Sequence, residues 1–291
     1  MAPLPPDLPV VDHHCHLSPH GEGVAAAVRF RKAGGTHLFL ATQRYEPGVP
    51  VTLDDYDRQF RTTVELAAKL WTDAGVVAYP VIAPYPIDLL EAAKSLGVVG
   101  ARELQFAALD LAGRMVESQQ AVALGEVGRP HFPVPEGFGE AVDDVFRHAL
   151  EVARDARCPA IVHCDDLDAS GFRELASFAA RSSFPPGKLV KHYARTFVRS
   201  EERAGVGASF LARRELIRAC WEEPGPWFLE TDFLDDPARP GAVLDLPTVP
   251  RRALAFWEGE PDRRERLRIP FVDSVKSVYG FAPAVGERRP A

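Results

Sequence analysis

The chain has 291 residues, 46% of them hydrophobic and 26% charged, a normal globular balance with ample material for a core. The formal net charge of −7 argues against a broad basic face that wraps nucleic acid, while leaving room for a local cluster that grips one phosphate. Met1 to Asp7 has no basic start and no apolar h-region, and no apolar run approaches the ~20 residues that span a bilayer, so a cytoplasmic protein without membrane contact is expected. The 4 cysteines, Cys15, Cys158, Cys164 and Cys220, form no CxxC pair and read as reduced thiols.

Short β-branched runs alternate with helical patterns along the chain. Strands are expected at 8–14, 36–41, 75–83, 121–127, 159–164, 189–193, 206–210 and 227–232. Between them lie apolar residues at helical spacing, at 54–74, 86–96, 140–156 and 212–223. Glycines at 34, 35, 75 and 97 and Pro159 punctuate helix ends or strand starts. The stretch 98–120 reads as one helix or two. Eight strands with intervening helices fit a (β/α)8 barrel, an α/β fold of about 250 residues. An open doubly wound sheet would show a Gly-rich first turn, which is missing. No linker or repeat divides the chain, so residues 1–291 are expected to form a single domain with loose tails at 1–7 and 282–291.

Metal-capable side chains recur at the carboxyl ends of these strands. His14 and His16 end the first, Glu126 sits near the end of the fourth, His163 ends the fifth, His192 the sixth and Asp232 the eighth. The gaps of 37, 29 and 40 residues from Glu126 onward correspond to one, one and two βα units. In a barrel all five strand ends open onto one face, where active sites lie. Residues i and i+2 of a strand share a side, so His14 and His16 can both face the mouth, with Cys15 turned away and His13 pointing away from His14. Imidazoles and carboxylates together suit Zn²⁺, Mn²⁺ or similar ions. Four histidines and two carboxylates exceed what one open catalytic ion needs. They suit two ions about 3.5–4 Å apart with a bridging carboxylate, an arrangement that generates hydroxide at neutral pH. Asp12 is expected to orient a ligand from behind. His37 and His148 read as structural, and His20 and His131 lie on loops at the active face.

The motifs "DHHCHL" (12–17), "ALGEVG" (123–128), "VHC" around His163, "KHY" around His192 and "LETD" (229–232) together resemble the TatD family of metal-dependent hydrolases. In detail the chain is similar to an archaeal-type branch of TIM-barrel hydrolases. The resemblance implies two divalent ions (Zn, Mn or Mg): His14, His16 and Asp232 on one, His163 and His192 on the other, and Glu126 bridging. It also implies catalytic roles for Asp232 and Glu126, Asp232 as the acid/base, and DNase or exonuclease activity. The substrate shell departs from the family pattern. Gly128-Arg129-Pro130 follows the glutamate in place of "GLD", Cys164-Asp165-Asp166 follows His163, and Tyr193-Ala194-Arg195-Thr196 follows His192.

Arg129, Tyr193 and Arg195 lie just beyond metal-bearing strands and are candidates for substrate binding. An arginine fork suits phosphate or carboxylate. The leading expectation is a two-metal phosphoesterase or deoxyribonuclease acting on a small phosphoester or a nucleic-acid end. The alternative is an amidohydrolase or lactonase that uses the same centre on a carbonyl carbon. A glutamate at the fourth strand, where carbonyl-hydrolysing relatives carry a carboxylated lysine, favours the former.

Overall fold

The computed structural model describes residues 3–286. Among them, eight principal strands alternate with helices as expected. They are β1 (Val11–His16), β2 (His37–Ala41), β3 (Val77–Ile82), β4 (Ala123–Gly128), β5 (Ala160–His163), β6 (Leu189–Ala194), β7 (Gly207–Leu211) and β8 (Trp227–Glu230). A two-residue strand, β9 (Phe233–Leu234), follows β8. Every pairing is parallel, in the order β8-β7-β6-β5-β4-β3-β2-β1-β9. The two ends of this sheet, β8 and β9, are separated by only Thr231 and Asp232. The eighth strand therefore pairs with β7 by its first half and with β1 by its second, which curls the sheet into a (β/α)8 barrel. Five strands, β1, β2, β4, β7 and β8, are buried throughout because helices cover the outside and side chains fill the inside, as parallel sheets require.

The helices α1 (Val24–Lys32), α2 (Leu53–Ala74), α3 (Asp88–Glu117), α4 (Gly139–Asp155) and α5 (Ala169–Arg181) lie outside the sheet. Thr52 and Asp55 form a reciprocal capping box at the start of α2, and Gly75 ends it at φ 64°. The ambiguity over 98–120 resolves as one helical run, α3, interrupted at Gly97, whose φ of 70° no other residue type adopts as readily. Residues 195–206, between β6 and β7, hold a 3₁₀ turn at Ser200–Glu202 where a helix would normally lie. After α6 (Arg214–Cys220) come α7 (Thr248–Trp257), α8 (Pro261–Arg268) and α9 (Ser274–Tyr279).

Cys15 packs outward with Leu38, Leu40 and Phe30, as expected. His13 does not join it. Its ring stacks on Phe228 at 3.9 Å and meets Phe39 at 4.9 Å, and its Nε2 is 2.7 Å from the hydroxyl of Tyr279 on α9. Described residues of the first tail make contacts with the last helices. Trp257 donates from Nε1 to Pro3 O at 2.8 Å and Arg264 pairs with Asp7, while Phe281, just before the second tail, packs on Tyr79 at 4.9 Å. Residues 1–2 and 287–291 of those tails lie outside the described residues.

Candidate metal centre

Three strands that carry expected ligands break their ladder where the ligand stands. In β1, Asp12 pairs with Leu38 and Cys15 with Leu40, so three steps oppose two. In β4, Gly125 pairs with Ile161 and Val127 with Val162, leaving Glu126 as the extra residue. In β6, Lys191 pairs with Ala208 and Ala194 with Phe210, with His192 and Tyr193 between. An extra residue re-aims side chains and shifts the alternation of faces. That shift explains why His13 turns into the interior, contrary to the period-2 expectation.

The six expected ligands converge at the mouth. His14 Nε2 and His16 Nε2 are 3.2 Å apart, and His163 Nδ1 and His192 Nε2 are 3.1 Å apart. Glu126 lies between the pairs. Its Oε1 is 2.5 Å from His192 Nε2, 3.2 Å from His163 Nδ1 and 3.6 Å from His14 Nε2, and its Oε2 is 3.9 Å from His16 Nε2. Asp232 Oδ1 stands 3.6 Å from His16 Nε2 and 3.8 Å from His14 Nε2. The atoms sort into three overlapping groups, His14–His16–Glu126, Glu126–His163–His192 and His14–His192–Asp232. Two nitrogens held about 2.0–2.1 Å from one Zn²⁺ at a near-tetrahedral angle lie roughly 3.3 Å apart. The spacing within each histidine pair fits that requirement.

The electrostatics fit a cation as well. Burial alone would raise the Glu126 carboxyl, but His192, His14 and His163 hold it well below the usual carboxylate range. Asp232 is lowered in the same way, burial being outweighed by His16 and His14. Burial keeps His14 below the ordinary imidazole value. For His16 the same burial is outweighed by Asp232 and Glu126, and the ring is raised. Two carboxylates held ionised among four imidazoles in a buried site make a donor set suited to divalent ions, which would take the place of the rings' protons.

A second layer holds this constellation. Asp12, fully buried, accepts at Oδ1 from the backbone N–H groups of His14 and Thr231 (3.2 and 3.1 Å), and at Oδ2 from the Thr231 hydroxyl at 2.6 Å. It therefore ties β1 to the β8–β9 break beside Asp232. Glu230 was not anticipated. It is fully buried, accepts the Tyr193 N–H at 2.6 Å, and its Oε1 faces His192 Nδ1 at 3.6 Å. Its place two residues before Asp232 was the available signal, since i and i+2 share a side. Tyr85 was also missed, and its hydroxyl is 3.3 Å from His163 Nε2. Asp235 accepts the N–H groups of Ser18, Glu22 and Gly23 at 2.8–2.9 Å and pins the loop after β1.

The expected substrate residues separate. Arg129 is turned away to Asp143 on α4 at 2.7 Å and lies over the Phe178 ring at 4.8 Å, so it is spoken for by the helical layer. Tyr193 lies beside His192, with ring centroids 6.2 Å apart. The Arg195 guanidinium lies 5.4 Å from the Tyr193 ring centroid, and its backbone N–H donates to Asp166. His131, on the loop after β4, brings Nδ1 to 2.9 Å from His163 Nε2. His20 is exposed and 3.7 Å from Glu46. His148 pairs with Asp110 on the outside at 2.8 Å.

Residues 11–278 match the model of a family described as TatD related DNase. The chain belongs to this family. An uncharacterised protein from Methanocaldococcus jannaschii is 30% identical over 251 residues, 84% of this chain and 86% of that one. The structure of a TatD homologue from Escherichia coli K12 superposes with a TM-score of 0.60 at 17% identity, covering 93% of this chain and 97% of the other. A PTE-like lactonase mutant from Deinococcus radiodurans gives 0.58 at 13% identity, covering 94% and 96%. At such identities the two structures bear on the fold alone. This TatD-family chain is a metal-dependent hydrolase built on a barrel shared by enzymes of different substrate classes.

Proposed function

We propose that this TatD-family protein is a binuclear phosphoesterase that acts on a small phosphoester or on the end of a nucleic acid. The observation that carries the proposal is Glu126, whose two carboxylate oxygens face imidazoles of both histidine pairs. We assign His14, His16 and Asp232 to one ion, His163 and His192 to the other, and Glu126 to both. Bound there, divalent ions such as Zn²⁺, Mn²⁺ or Mg²⁺ would supply a nucleophile from water at neutral pH and neutralise charge developing on the attacked oxygen.

The chain's own groups do the rest. Asp232 Oδ1 faces His14 and His16, and we assign Oδ2 to take the proton of the attacking water and return it to the leaving oxygen. The Asp232 side chain is 16% exposed, enough for a water or leaving group to reach it. Arg195 and Tyr193, beside the His163–His192 pair, would orient the phosphoryl group. A chain of net charge −7 suits a short terminal substrate better than an extended polyanion.

The loss of Arg129 to Asp143 thins the cationic shell and favours a second reading, hydrolysis of a lactone, ester or amide by the same groups. Protein loaded with Mn²⁺ or Zn²⁺ and offered phosphomonoesters, short 3′- and 5′-ended oligonucleotides, lactones, esters and amides separates the two. Turnover confined to the carbonyl compounds would overturn the phosphoesterase.

A further inference from the structure

His163 is the most exposed of the four expected histidine ligands, at 12% of its side chain, and its second ring nitrogen meets groups outside the ligand set. Its Nδ1 points at Glu126 and His192, while its Nε2 meets the Tyr85 hydroxyl at 3.3 Å and His131 Nδ1 at 2.9 Å. A ligating imidazole gives a lone pair to the ion and carries its proton on the other nitrogen. With Nδ1 committed inward, His163 therefore donates from Nε2, and the nearer acceptor is His131 Nδ1. An imidazole that accepts at Nδ1 must carry its own proton on Nε2. That N–H projects from the far side of the His131 ring, which is exposed on the loop after β4. The exposed guanidinium of Arg195 lies over the Tyr193 ring at 5.4 Å and near enough to His131 for its charge to act on that ring.

On the phosphoesterase reading, we infer that His131 is a substrate-binding residue: His163 fixes its tautomer, and its Nε2–H, together with Arg195, anchors the phosphate oxygens that project out of the metal pair. The ligand class is a terminal phosphate with free non-bridging oxygens. His131 thereby replaces the arginine whose side chain is taken up by Asp143. A donor already held by a metal-ligating histidine loses little freedom on binding, so it discriminates phosphate from a neutral carbonyl compound at small entropic cost.

The test uses the protein reconstituted with Mn²⁺ and inorganic phosphate as the probe, its dissociation constant read by calorimetry and metal content by elemental analysis. His131→Ala should weaken phosphate by about tenfold, the worth of one hydrogen bond to a charged group, with metal content unchanged. His131→Gln, which retains an outward amide donor, should recover much of that loss. Unchanged phosphate affinity in His131→Ala refutes the inference. So does a loss that only tracks lost metal, because His131 would then serve His163 alone. If wild type turns over phosphoesters while His131→Ala is indifferent to phosphate, only this inference fails. If wild type binds no phosphate and hydrolyses only carbonyl compounds, the phosphoesterase reading fails with it.

Discussion

Replacing Glu126 tests the centre most directly, because its carboxylate faces both histidine pairs. Without it the His163–His192 pair is left with two nitrogens, while His14 and His16 keep Asp232 at 3.6–3.8 Å. The losses are therefore unequal. Removing even an outer partner of a ligand costs 10–100-fold in metal affinity, so removing a ligand shared by both ions should cost the His163–His192 position at least about 100-fold. Charge acts in the same direction, since two divalent ions would then face Asp232 as the remaining carboxylate of the set. Protein purified without chelator and dialysed against Zn²⁺ or Mn²⁺ should hold close to two ions per chain, and Glu126→Ala no more than one. The fold should survive with reduced stability, because the core lies elsewhere but His192, His14 and His163 lose the carboxylate they hold ionised. Near-ultraviolet circular dichroism of the metal-free variant checks that point. Two ions retained by Glu126→Ala at unchanged affinity would refute the assignment of Glu126 as the shared ligand.

Asp232→Asn should lower turnover by about 10²–10⁴ while the folded spectrum persists, and full activity would remove the proton-transfer role. Asp235→Ala strands the three N–H groups of Ser18, Glu22 and Gly23, which should cost about 2–3 kcal/mol in urea unfolding and speed amide exchange over 18–23; unchanged exchange there would show that the loop does not depend on Asp235. Metal-free protein should lose stability as pH rises from 6.5 to 8. Burial pushes Asp12 and Glu230 up to about 8, so the folded chain keeps two protons that the unfolded chain, with values of 3.8 and 4.5, has released. Each group contributes stability that is full below its unfolded value and fades towards pH 8, on the order of 1.4 kcal/mol per pH unit. The lowered His13 and His14 act oppositely, but only below 6.5. A urea midpoint that climbs across this window would contradict the account.

The barrel was legible because each principal strand is a short, largely buried apolar run, and the candidate ligands were legible because they stand at the ends of those runs. Position along a strand is a sequence property, and convergence at the mouth follows from the topology. What escaped depends on contacts between distant elements. Arg129 follows a ligand strand, yet its direction is set by Asp143 and Phe178 on two separate helices. Tyr85 lies 78 residues from the histidine it touches. His13 was misplaced by strict alternation because the irregularity in β1 is not visible in its composition.

Asp12 and Glu230, two fully buried carboxylates outside the ligand set, find their use in the same irregularities. Tyr193 and Asp232 adopt positive φ, 53° and 47°, a region that costs a non-glycine residue of order 1–3 kcal/mol unless its surroundings hold it there. Both are held through their N–H groups: Tyr193 donates to Glu230 and Asp232 to His14 O at 2.9 Å. Asp12 grips the residue before Asp232 by both backbone and hydroxyl. A regular strand end would aim His192 and Asp232 along the pleat. The bulge in β6 and the turn after β8 aim them at Glu126 and at the first histidine pair instead. Asp12 and Glu230 are thus buried acids that hold backbone in place, and this explains why carboxylates costly to bury stand directly behind the centre without joining it.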